Sequence, residues 1–219
     1  MLEIKNAEVY DLKASVIASR NAMRLEMPEY TEEEFEKSLP RAIQLANTPN
    51  GSGHQNFLKG IRVSFDIKYP NYISPELQRY NWIDIVTSSS KMHRLLKMDL
   101  DKACNKYVSA TTIAYMNSLI EDYNQIANGE SEYGIFFLRD GSQIDARGKN
   151  DMLYHKWMQI ISNCPQGIEL FMRVSTNYAQ LKTVWHQRKH HKLMEDWGAM
   201  CEFIEQLPYA KEFGLCSKD

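Results

Sequence analysis

An α+β fold is predicted by the pattern of apolar and polar residues along the chain. Two separate stretches alternate strictly between apolar and polar residues, and each is followed by a stretch with helical signals. They give two strand-then-helix units, at residues 61–87 and 168–197. A length of 219 residues fits one large domain or two very small ones, and a single domain over residues 1–219 is predicted.

The composition is that of an ordinary folded protein, with 43% hydrophobic residues, 25% charged residues and a net charge of −2. A chain so close to neutral is not built as a whole to bind polyanions. No stretch is apolar for long enough to span a bilayer, and "MLEIKNAEVYDLK" lacks the pattern of a signal peptide. The four cysteines are widely spaced, without a CxxC pair, which is typical of reduced thiols. The sequence therefore predicts a cytoplasmic protein.

The first elements are predicted from helix signals. Residues 14–25 have helical periodicity, and four apolar side chains are available for a core: Val16, Ile17, Met23 and Leu25. A second helix is expected after Thr31, which suits the N-cap because Glu34 stands at the capping-box spacing. The turn-rich loop "NTPNGSGH" then ends on His54.

The first strand-then-helix unit begins with "GIRVSFDIKY". Its apolar residues share one face of a half-buried strand: Ile61, Val63, Phe65, Ile67 and Tyr69. A helix is predicted to follow, with Ser74 as the N-cap and Pro75 at the first helical position. This helix is expected to end near "TSSSK".

Further helices and a second strand are predicted in the rest of the chain. Residues 107–129 read as a long helix that ends at Gly129, and residues 151–165 read as another helix. Between them, residues 130–150 are expected to form either a short hairpin with a turn at Asp140-Gly141 or an ordered loop. The second strand, "GIELFMRVST", turns one set of side chains towards the core: Ile168, Leu170, Met172 and Val174.

The helix after the second strand carries the basic segment "WHQRKHHKL", from Trp185 to Leu193. At about 100° per residue, polar and aliphatic residues fall on one stripe of this helix. The stripe comprises Asn177, Leu181, Val184, Arg188 and Glu195, and it is flanked by His191 and Lys192. Aliphatic side chains do not suit a solvated face, and Arg188 does not suit a core face, so the mixture favours a pocket wall.

Three other interpretations of this segment stay open. A run of charges on a helix is often simply solvated. His186 and His190 have the spacing of a metal-binding pair, although the HExxH pattern is missing. The basic residues beside Trp185 could contact nucleic acid, although the acidic "MED" follows them directly.

Several segments together resemble the flavin-dependent thymidylate synthases, the ThyX family. Asn177, Leu181 and Arg188 have the spacing of its C-terminal motif, in which the arginine holds the substrate pyrimidine. "GHQNFLKGIRVSFDIKYP" is similar to the family's histidine, strand and proline. "ELQRYNWIDIVTSSSKM" falls without a gap on the signature Arg-His-Arg, seven residues, Ser-x-Arg. "SVIASRNAM" is similar to the family's Ala-Ala-Arg segment through Arg20.

The chain departs from the family pattern at five positions. Tyr80 and Asn81 replace the histidine and the second arginine of the signature, and Lys91 replaces its last arginine. Glu76 stands where a glutamine is usual, and Ala179 stands where an arginine contacts the flavin. The changes at Asn81 and Ala179 remove two cations that would meet the flavin. The chain therefore resembles a divergent branch of the family, of the kind associated with phages.

The resemblance implies a fold, an assembly and a reaction. The fold is an antiparallel sheet flanked by long helices, and the assembly is a homotetramer with sites between its subunits. The reaction is the methylation of dUMP to dTMP, with methylenetetrahydrofolate as the one-carbon donor, FAD as the hydride carrier and NADPH as the reductant. The alternatives are a homologue that acts on another pyrimidine such as dCMP, or transfers a hydroxymethyl group, or has lost catalysis. A nucleic-acid-binding module is the third hypothesis.

The resemblance also assigns the candidate site residues. Arg188 is the catalytic residue, because a guanidinium beside O2 or O4 of the base stabilises negative charge during the attack at C6. The nucleotide contacts are Glu76, Arg79, Ser89, Ser90, Lys91 and Arg188. The flavin contacts are His54, Tyr80, Asn81, Asn177 and Lys192. No cysteine nucleophile and no metal site is assigned. The expected partners are a pyrimidine deoxynucleoside monophosphate and further copies of the chain, without a membrane or nucleic acid.

Overall fold

The fold is known from a computed structural model, which describes residues 2–49, 51–130, 134–146 and 148–216. It is an α+β fold with a four-stranded antiparallel sheet and helices, which confirms the predicted fold class. The chain divides into two compact units. The first comprises Met1–Tyr69, Ile73–Ser89 and Leu170–Asp219, and the second comprises Pro70–Tyr72 and Ser90–Glu169.

The described residues form six strands and nine α-helices. The strands are β1 (Glu3–Tyr10), β2 (Arg62–Pro70), β3 (Asp84–Ser88), β4 (Ile135–Phe137), β5 (Gln143–Asp145) and β6 (Glu169–Asn177). The helices are α1 (Leu12–Ala18), α2 (Glu32–Ala46), α3 (Ser74–Leu77), α4 (Lys91–Arg94), α5 (Leu100–Ala103), α6 (Ala110–Asn128), α7 (Lys149–Asn163), α8 (Tyr178–Arg188) and α9 (Met194–Glu205). Short 3₁₀ helices cover Asn21–Met23, His54–Lys59, Asn71–Ile73 and Leu95–Lys97.

The main sheet has the strand order β1-β2-β6-β3, so the two strands predicted from the sequence are its central strands. In both strands the apolar residues predicted to face the core are buried. Phe171, on the opposite face of β6, is 53% exposed. The outer strands β1 and β3 pair antiparallel with β2 and β6. Both lie at the edges, and most of their side chains are exposed. Neither shows the alternation that would predict a strand, and both were missed for that reason.

The first unit packs its helices into a core with the sheet. α1 contacts α2, α8 contacts α9, and α9 also contacts β1. The largest fully buried side chains of this unit include Trp197, Tyr178, Phe65, Phe213 and Ile17. Burial of each such side chain stabilises the fold by about 1.5–3 kcal/mol. α2 begins as predicted, because the Glu34 backbone N–H donates to Thr31 Oγ1 at 3.2 Å.

Two predictions in this unit are wrong at the ends of helices. The helix predicted to run from Ser74 to "TSSSK" ends at Leu77, because residues 84–88 pair with β6 instead. The predicted first helix ends at Ala18, and only one 3₁₀ turn follows. As a result Met23 is 87% exposed and Leu25 is fully exposed, so neither belongs to the core.

The last predicted helix is in fact two helices. α8 ends at Arg188, and the chain turns before α9 begins at Met194. The predicted stripe therefore holds only for Leu181, Val184 and Arg188. Asn177 is the last residue of β6 and the N-cap of α8, and His191, Lys192 and Glu195 lie beyond the end of α8. The prediction that all of them share one helical face is wrong.

The second unit is mainly helical. α6 and α7 pack against each other over a separate core cluster: Leu95, Leu100, Met116, Leu119, Ile120, Ile160 and Ile168. α6 ends as predicted at Gly129, whose φ of 78° is the left-handed conformation that favours glycine. Residues 134–146 hold the β4–β5 hairpin, the first of the two alternatives expected there. None of the helices in the described ranges has the length and hydropathy that a membrane span needs.

Candidate functional site

A small pocket lies between residues 79–82 and α8, within the first unit. Its volume is about 360 Å³, near the lower end of the range for small-molecule sites. Its lining residues come from two segments: Arg79, Tyr80, Asn81, Trp82, Gln180, Thr183, Gln187 and Arg188. The four residues from α8 recur at helical spacing, which places them on one face. The pocket brings together four of the predicted site residues: Arg79, Tyr80, Asn81 and Arg188.

Arg188 is held firmly at this pocket, with only 14% of its side chain exposed. Its Nε donates to Tyr80 Oη at 2.7 Å, and its Nη1 donates to Glu76 Oε2 at 3.0 Å. The guanidinium also lies 4.3 Å from the centroid of the Trp197 ring, at the distance of a cation–π contact. The position of the guanidinium is therefore set by the protein before any ligand arrives.

Glu76 is the centre of a small polar network behind Arg188. Its Oε2 accepts from Trp197 Nε1 at 2.7 Å as well as from Arg188, and His191 Nε2 lies 3.7 Å away. The Leu193 backbone N–H donates to His191 Nδ1, which fits a ring whose other nitrogen faces the carboxylate. In the structure Glu76 binds Arg188, so the role assigned to it as a direct nucleotide contact stays a prediction.

Tyr80 links the two sides of the pocket. Its hydroxyl accepts from Arg188 and donates to Gln187 Oε1 at 3.1 Å. Burial raises the pKa of Tyr80 above its ordinary value, although the Arg188 cation opposes this shift. The hydroxyl is therefore protonated at neutral pH and serves as a hydrogen-bond relay.

The predicted phosphate contacts are distributed over both units. Arg79 is exposed and lines the pocket. Ser89 is not among the described residues that line it, since its Oγ accepts from the Phe171 backbone N–H at 3.0 Å and extends the pairing of β3 with β6. Ser90 and Lys91 belong to the second unit, where Ser90 is the N-cap of α4.

A larger groove in the first unit is lined by α1, α2 and the 3₁₀ helix that begins at His54. Its volume is about 1060 Å³. Three cationic side chains line it together with His54, namely Arg20, Lys37 and Arg41. Glu34 offsets part of this charge through ion pairs with Arg20 and Arg24. The groove thus combines positive charge with a volume suited to a large ligand.

The five predicted flavin contacts do not meet in one place. His54 lines the larger groove, whereas Tyr80 and Asn81 line the smaller pocket. Asn177 is buried, and its side chain caps α8 by accepting from the Gln180 backbone N–H at 2.9 Å. Lys192 is exposed in the connection between α8 and α9.

Sequence reasoning missed five residues that shape the pocket and the network behind it: Trp82, Gln180, Thr183, Gln187 and Trp197. Three of them could have been found, because they share a helical face with Arg188 inside α8. Trp197 could not, since it reaches Arg188 only because α9 folds back onto α8.

The basic segment from Trp185 to Leu193 has both exposed and packed side chains. His186, His190 and Lys192 are exposed, whereas the Trp185 indole is buried and donates to Glu205 Oε1 at 2.8 Å. Lys189 lies over the Trp185 ring, 4.7 Å from its centroid. Within the described ranges, no group of three or more His, Cys, Asp or Glu side chains is arranged to hold a metal ion.

Comparison with known proteins gives likeness in structure only. No protein-family model matches the chain, and no curated protein matches it. The crystal structure of flavin-dependent thymidylate synthase ThyX from Helicobacter pylori, complexed with FAD and dUMP, matches with a TM-score of 0.62 and 14% identity over 97% of both chains. A second Helicobacter pylori ThyX structure with FAD and dUMP gives a TM-score of 0.61 and 12% identity over 98% of this chain and 97% of that one.

A third match is a UMP/dUMP methylase, PolB from Streptomyces cacaoi, bound with 5-Br dUMP. Its TM-score is 0.51 and its identity 13%, over 94% of this chain and 87% of that one. At such low identity these matches establish the fold, which spans nearly the whole chain.

Proposed function

We propose that the chain binds a pyrimidine deoxynucleoside monophosphate in the pocket between residues 79–82 and α8, and that it methylates dUMP to dTMP. The observation that carries this proposal is that Arg79 and Arg188 line the same pocket. The fold supports it, because the three matching structures described above are bound to dUMP or to 5-Br dUMP.

The two arginines suit the two ends of a nucleotide. Arg79 is exposed, and its planar guanidinium matches the geometry of a phosphate. Arg188 is more deeply buried, where a base would be shielded from water. Ser89, Ser90 and Lys91 are proposed as further phosphate contacts. The Ser89 oxygen accepts from a backbone N–H, so its own proton is available for donation to an anion.

Arg188 is proposed as the catalytic residue, because it is a positioned donor for a carbonyl oxygen of the base. Negative charge develops on that oxygen when C6 of the pyrimidine is attacked, and fixed N–H donors stabilise such charge. Glu76 and Tyr80 occupy two of the five N–H donors of Arg188 and fix its plane. The guanidinium therefore needs little reorganisation during the reaction.

The larger groove suits FAD, the cofactor of the proposed reaction. Its volume of about 1060 Å³ lies at the upper end of the range for cofactor sites. Arg20, Lys37 and Arg41 would hold the phosphates, and His54 would lie against the ring system. Reduced FAD supplies a hydride when bound, with methylenetetrahydrofolate as the one-carbon donor and NADPH as the reductant.

A homotetramer is part of the same proposal. Three apolar side chains that follow α1 project into solvent, with exposures of 87% for Met23, 103% for Leu25 and 97% for Met27. Apolar surface of this kind is typical of a subunit interface.

A second candidate function is action on another pyrimidine, such as dCMP, or nucleotide binding without catalysis. The side-chain amides of Asn81 and Gln180 line the pocket and are compatible with it, because their oxygens can accept the amino hydrogens of cytosine. Nucleic-acid binding is a third candidate, based on the exposed His186, His190 and Lys192. A protein with this function would bind duplex DNA with an affinity that falls steeply as the salt concentration rises.

The proposed reaction is tested by release of tritium from carbon 5 of labelled dUMP, with FAD, NADPH and methylenetetrahydrofolate supplied. We expect release that requires all three and that Arg79→Ala strongly reduces. Release from labelled dCMP but not from dUMP would replace the first candidate by the second. Salt-sensitive binding to DNA, without release from either nucleotide, would favour the third.

A further inference from the structure

Gln187 has an amide whose orientation is fixed by its two neighbours in the pocket. Arginine nitrogens can only donate, so Tyr80 Oη is the acceptor in its 2.7 Å contact with Arg188 Nε. The single proton of the Tyr80 hydroxyl then goes to Gln187 Oε1 at 3.1 Å. With Oε1 bound to Tyr80, the amide group presents its NH₂ hydrogens to a ligand.

Thr183 complements Gln187 one helical turn earlier. Its Oγ1 donates to the Ala179 carbonyl at 3.2 Å, so its hydroxyl proton is used within the helix. The oxygen of Thr183 can still accept a hydrogen bond. Both residues line the pocket, so one face of α8 offers a donor and an acceptor side by side. The edge of a pyrimidine base also has acceptor and donor atoms side by side.

We propose that Gln187 is a specificity-determining residue that donates a hydrogen bond to a carbonyl oxygen of the pyrimidine base, and that Tyr80 holds its amide in the donating orientation. This inference rests on the proposed function, because it places the base in the pocket between residues 79–82 and α8. A glutamine amide that could turn over would also present its oxygen and would accept hydrogens from the ligand. Tyr80 disfavours that orientation, because its hydroxyl proton would then lose its acceptor, and so it biases the site towards a carbonyl oxygen.

The test is calorimetric titration with dUMP and with its 2-thio and 4-thio analogues, because sulfur is a poorer acceptor than oxygen. The wild-type protein is expected to bind one of the two analogues about tenfold more weakly than dUMP. A tenfold change in affinity corresponds to the loss of roughly one hydrogen bond. Gln187→Met, which keeps the length of the side chain but loses the donor, is expected to bind that analogue and dUMP equally well. Gln187 is exposed, so this change does not disturb the core.

Two further variants separate the role of Tyr80 from effects on folding. Tyr80→Phe keeps the ring in place and frees the Gln187 amide, so the difference between dUMP and the analogue should narrow without vanishing. His186→Ala is the matched control, because His186 is the exposed neighbour of Gln187 on α8 and does not line the pocket. It should leave the ratio of the two affinities at the wild-type value.

The results also distinguish this inference from the proposed function. If Gln187→Met discriminates against the analogue as strongly as the wild-type protein does, while dUMP still binds, Gln187 does not contact the carbonyl and the inference is overturned alone. If the wild-type protein discriminates against neither analogue, the inference is overturned in the same way. If the wild-type protein does not bind dUMP at all, the inference and the proposed function are overturned together.

Discussion

Arg188 Nη1 lies 3.0 Å from Glu76 Oε2, and this ion pair joins the end of α8 to α3. Both side chains are largely shielded from solvent, with 14% of Arg188 and 27% of Glu76 exposed. Removing either residue would leave the other charge buried without its partner, which lowers the stability of the fold. The two side chains therefore depend on each other at this position. The same pair determines how much positive charge a nucleotide meets, because Glu76 neutralises the arginine that is proposed to face the base.

Glu76→Gln is expected to tighten the binding of dUMP by about threefold to tenfold, since it removes a negative charge near an anionic ligand. The free energy of unfolding should fall by roughly 1–2 kcal/mol, because the ion pair with Arg188 becomes a hydrogen bond to a neutral acceptor. Calorimetric titration and urea denaturation measure the two effects. Glu205→Gln is the matched control, because Glu205 accepts from the Trp185 indole just as Glu76 accepts from Trp197. Unchanged or weaker dUMP binding by Glu76→Gln would contradict the electrostatic role given to Glu76.

Arg188→Ala is expected to lower kcat for tritium release by about two or three orders of magnitude, because a fixed donor to the developing charge is lost. Lys91→Ala should raise KM more than it lowers kcat, because a phosphate contact is equally strong in the ground and transition states. Steady-state kinetics with varied dUMP separate these patterns. Arg188→Lys, which keeps the charge but loses the planar fork, shows whether geometry or charge matters more. Equal and small effects of Arg188→Ala and Lys91→Ala would mean that neither residue contacts the nucleotide.

Stability is expected to fall in alkaline solution because of groups that the fold keeps neutral. Burial raises the pKa of the Cys201 thiol from 9.0 to about 11, and nearby glutamates act in the same direction. The unfolded chain therefore releases this proton first as the pH rises. The contribution to stability is fully present below pH 9.0 and is lost as the pH approaches about 11. Urea midpoints across this range should decline for the wild-type protein and decline less for Cys201→Ala.

The raised pKa of the Cys201 thiol also affects its reactivity. A thiol with a raised pKa is a poor nucleophile at neutral pH, so Cys201 is not expected to act as a nucleophile. Cys201→Ala should therefore retain tritium release, and alkylating agents should react slowly with this thiol in the native protein. Loss of turnover in Cys201→Ala, with the fold intact, would show that the thiol takes part in the reaction.

Leu25→Glu is expected to weaken the assembly of subunits, because a charge would then lie within an apolar interface. Sedimentation analysis should give a tetramer for the wild-type protein and smaller species for this variant. Met194→Glu serves as the control, since Met194 is 55% exposed at the start of α9, away from the Met23–Met27 segment in sequence. A monomer from the wild-type protein at all concentrations would contradict the proposed assembly.

The parts of the fold that the sequence predicted well are those in which burial repeats with a regular period. β2 and β6 lie at the centre of the sheet and bury every second residue, so their alternation is complete. β3 has no buried residue and is formed by pairing with β6, so it lacks the alternation that marks β2 and β6, although Ile85, Val86 and Thr87 are β-branched residues that favour strands. A helix does start at Ser74 and Pro75, but its N-cap is Ile73 and not Ser74 as predicted, and nothing local indicates that the helix ends at Leu77.

The candidate site was predicted in part for a similar reason. Spacing within α8 was enough to find Arg188, and the family signature was enough to find Arg79 and Tyr80. The partners that fix Arg188 depend on tertiary contacts with α3 and α9, which no local pattern contains. Asn177 differs, because it was predicted as a flavin contact from the family motif and its side chain caps α8 in the structure. Its role as a flavin contact stays a prediction.

The central claim is that a pyrimidine deoxynucleoside monophosphate binds in the pocket lined by Arg79 and Arg188. It is tested most directly by calorimetric titration of dUMP into the wild-type protein and into Arg79→Ala, with duplex DNA titrated under the same salt conditions. We expect saturable heat from dUMP that is strongly reduced in Arg79→Ala, and no comparable heat from DNA. The absence of dUMP binding by the wild-type protein, or equal binding by Arg79→Ala, would contradict the claim.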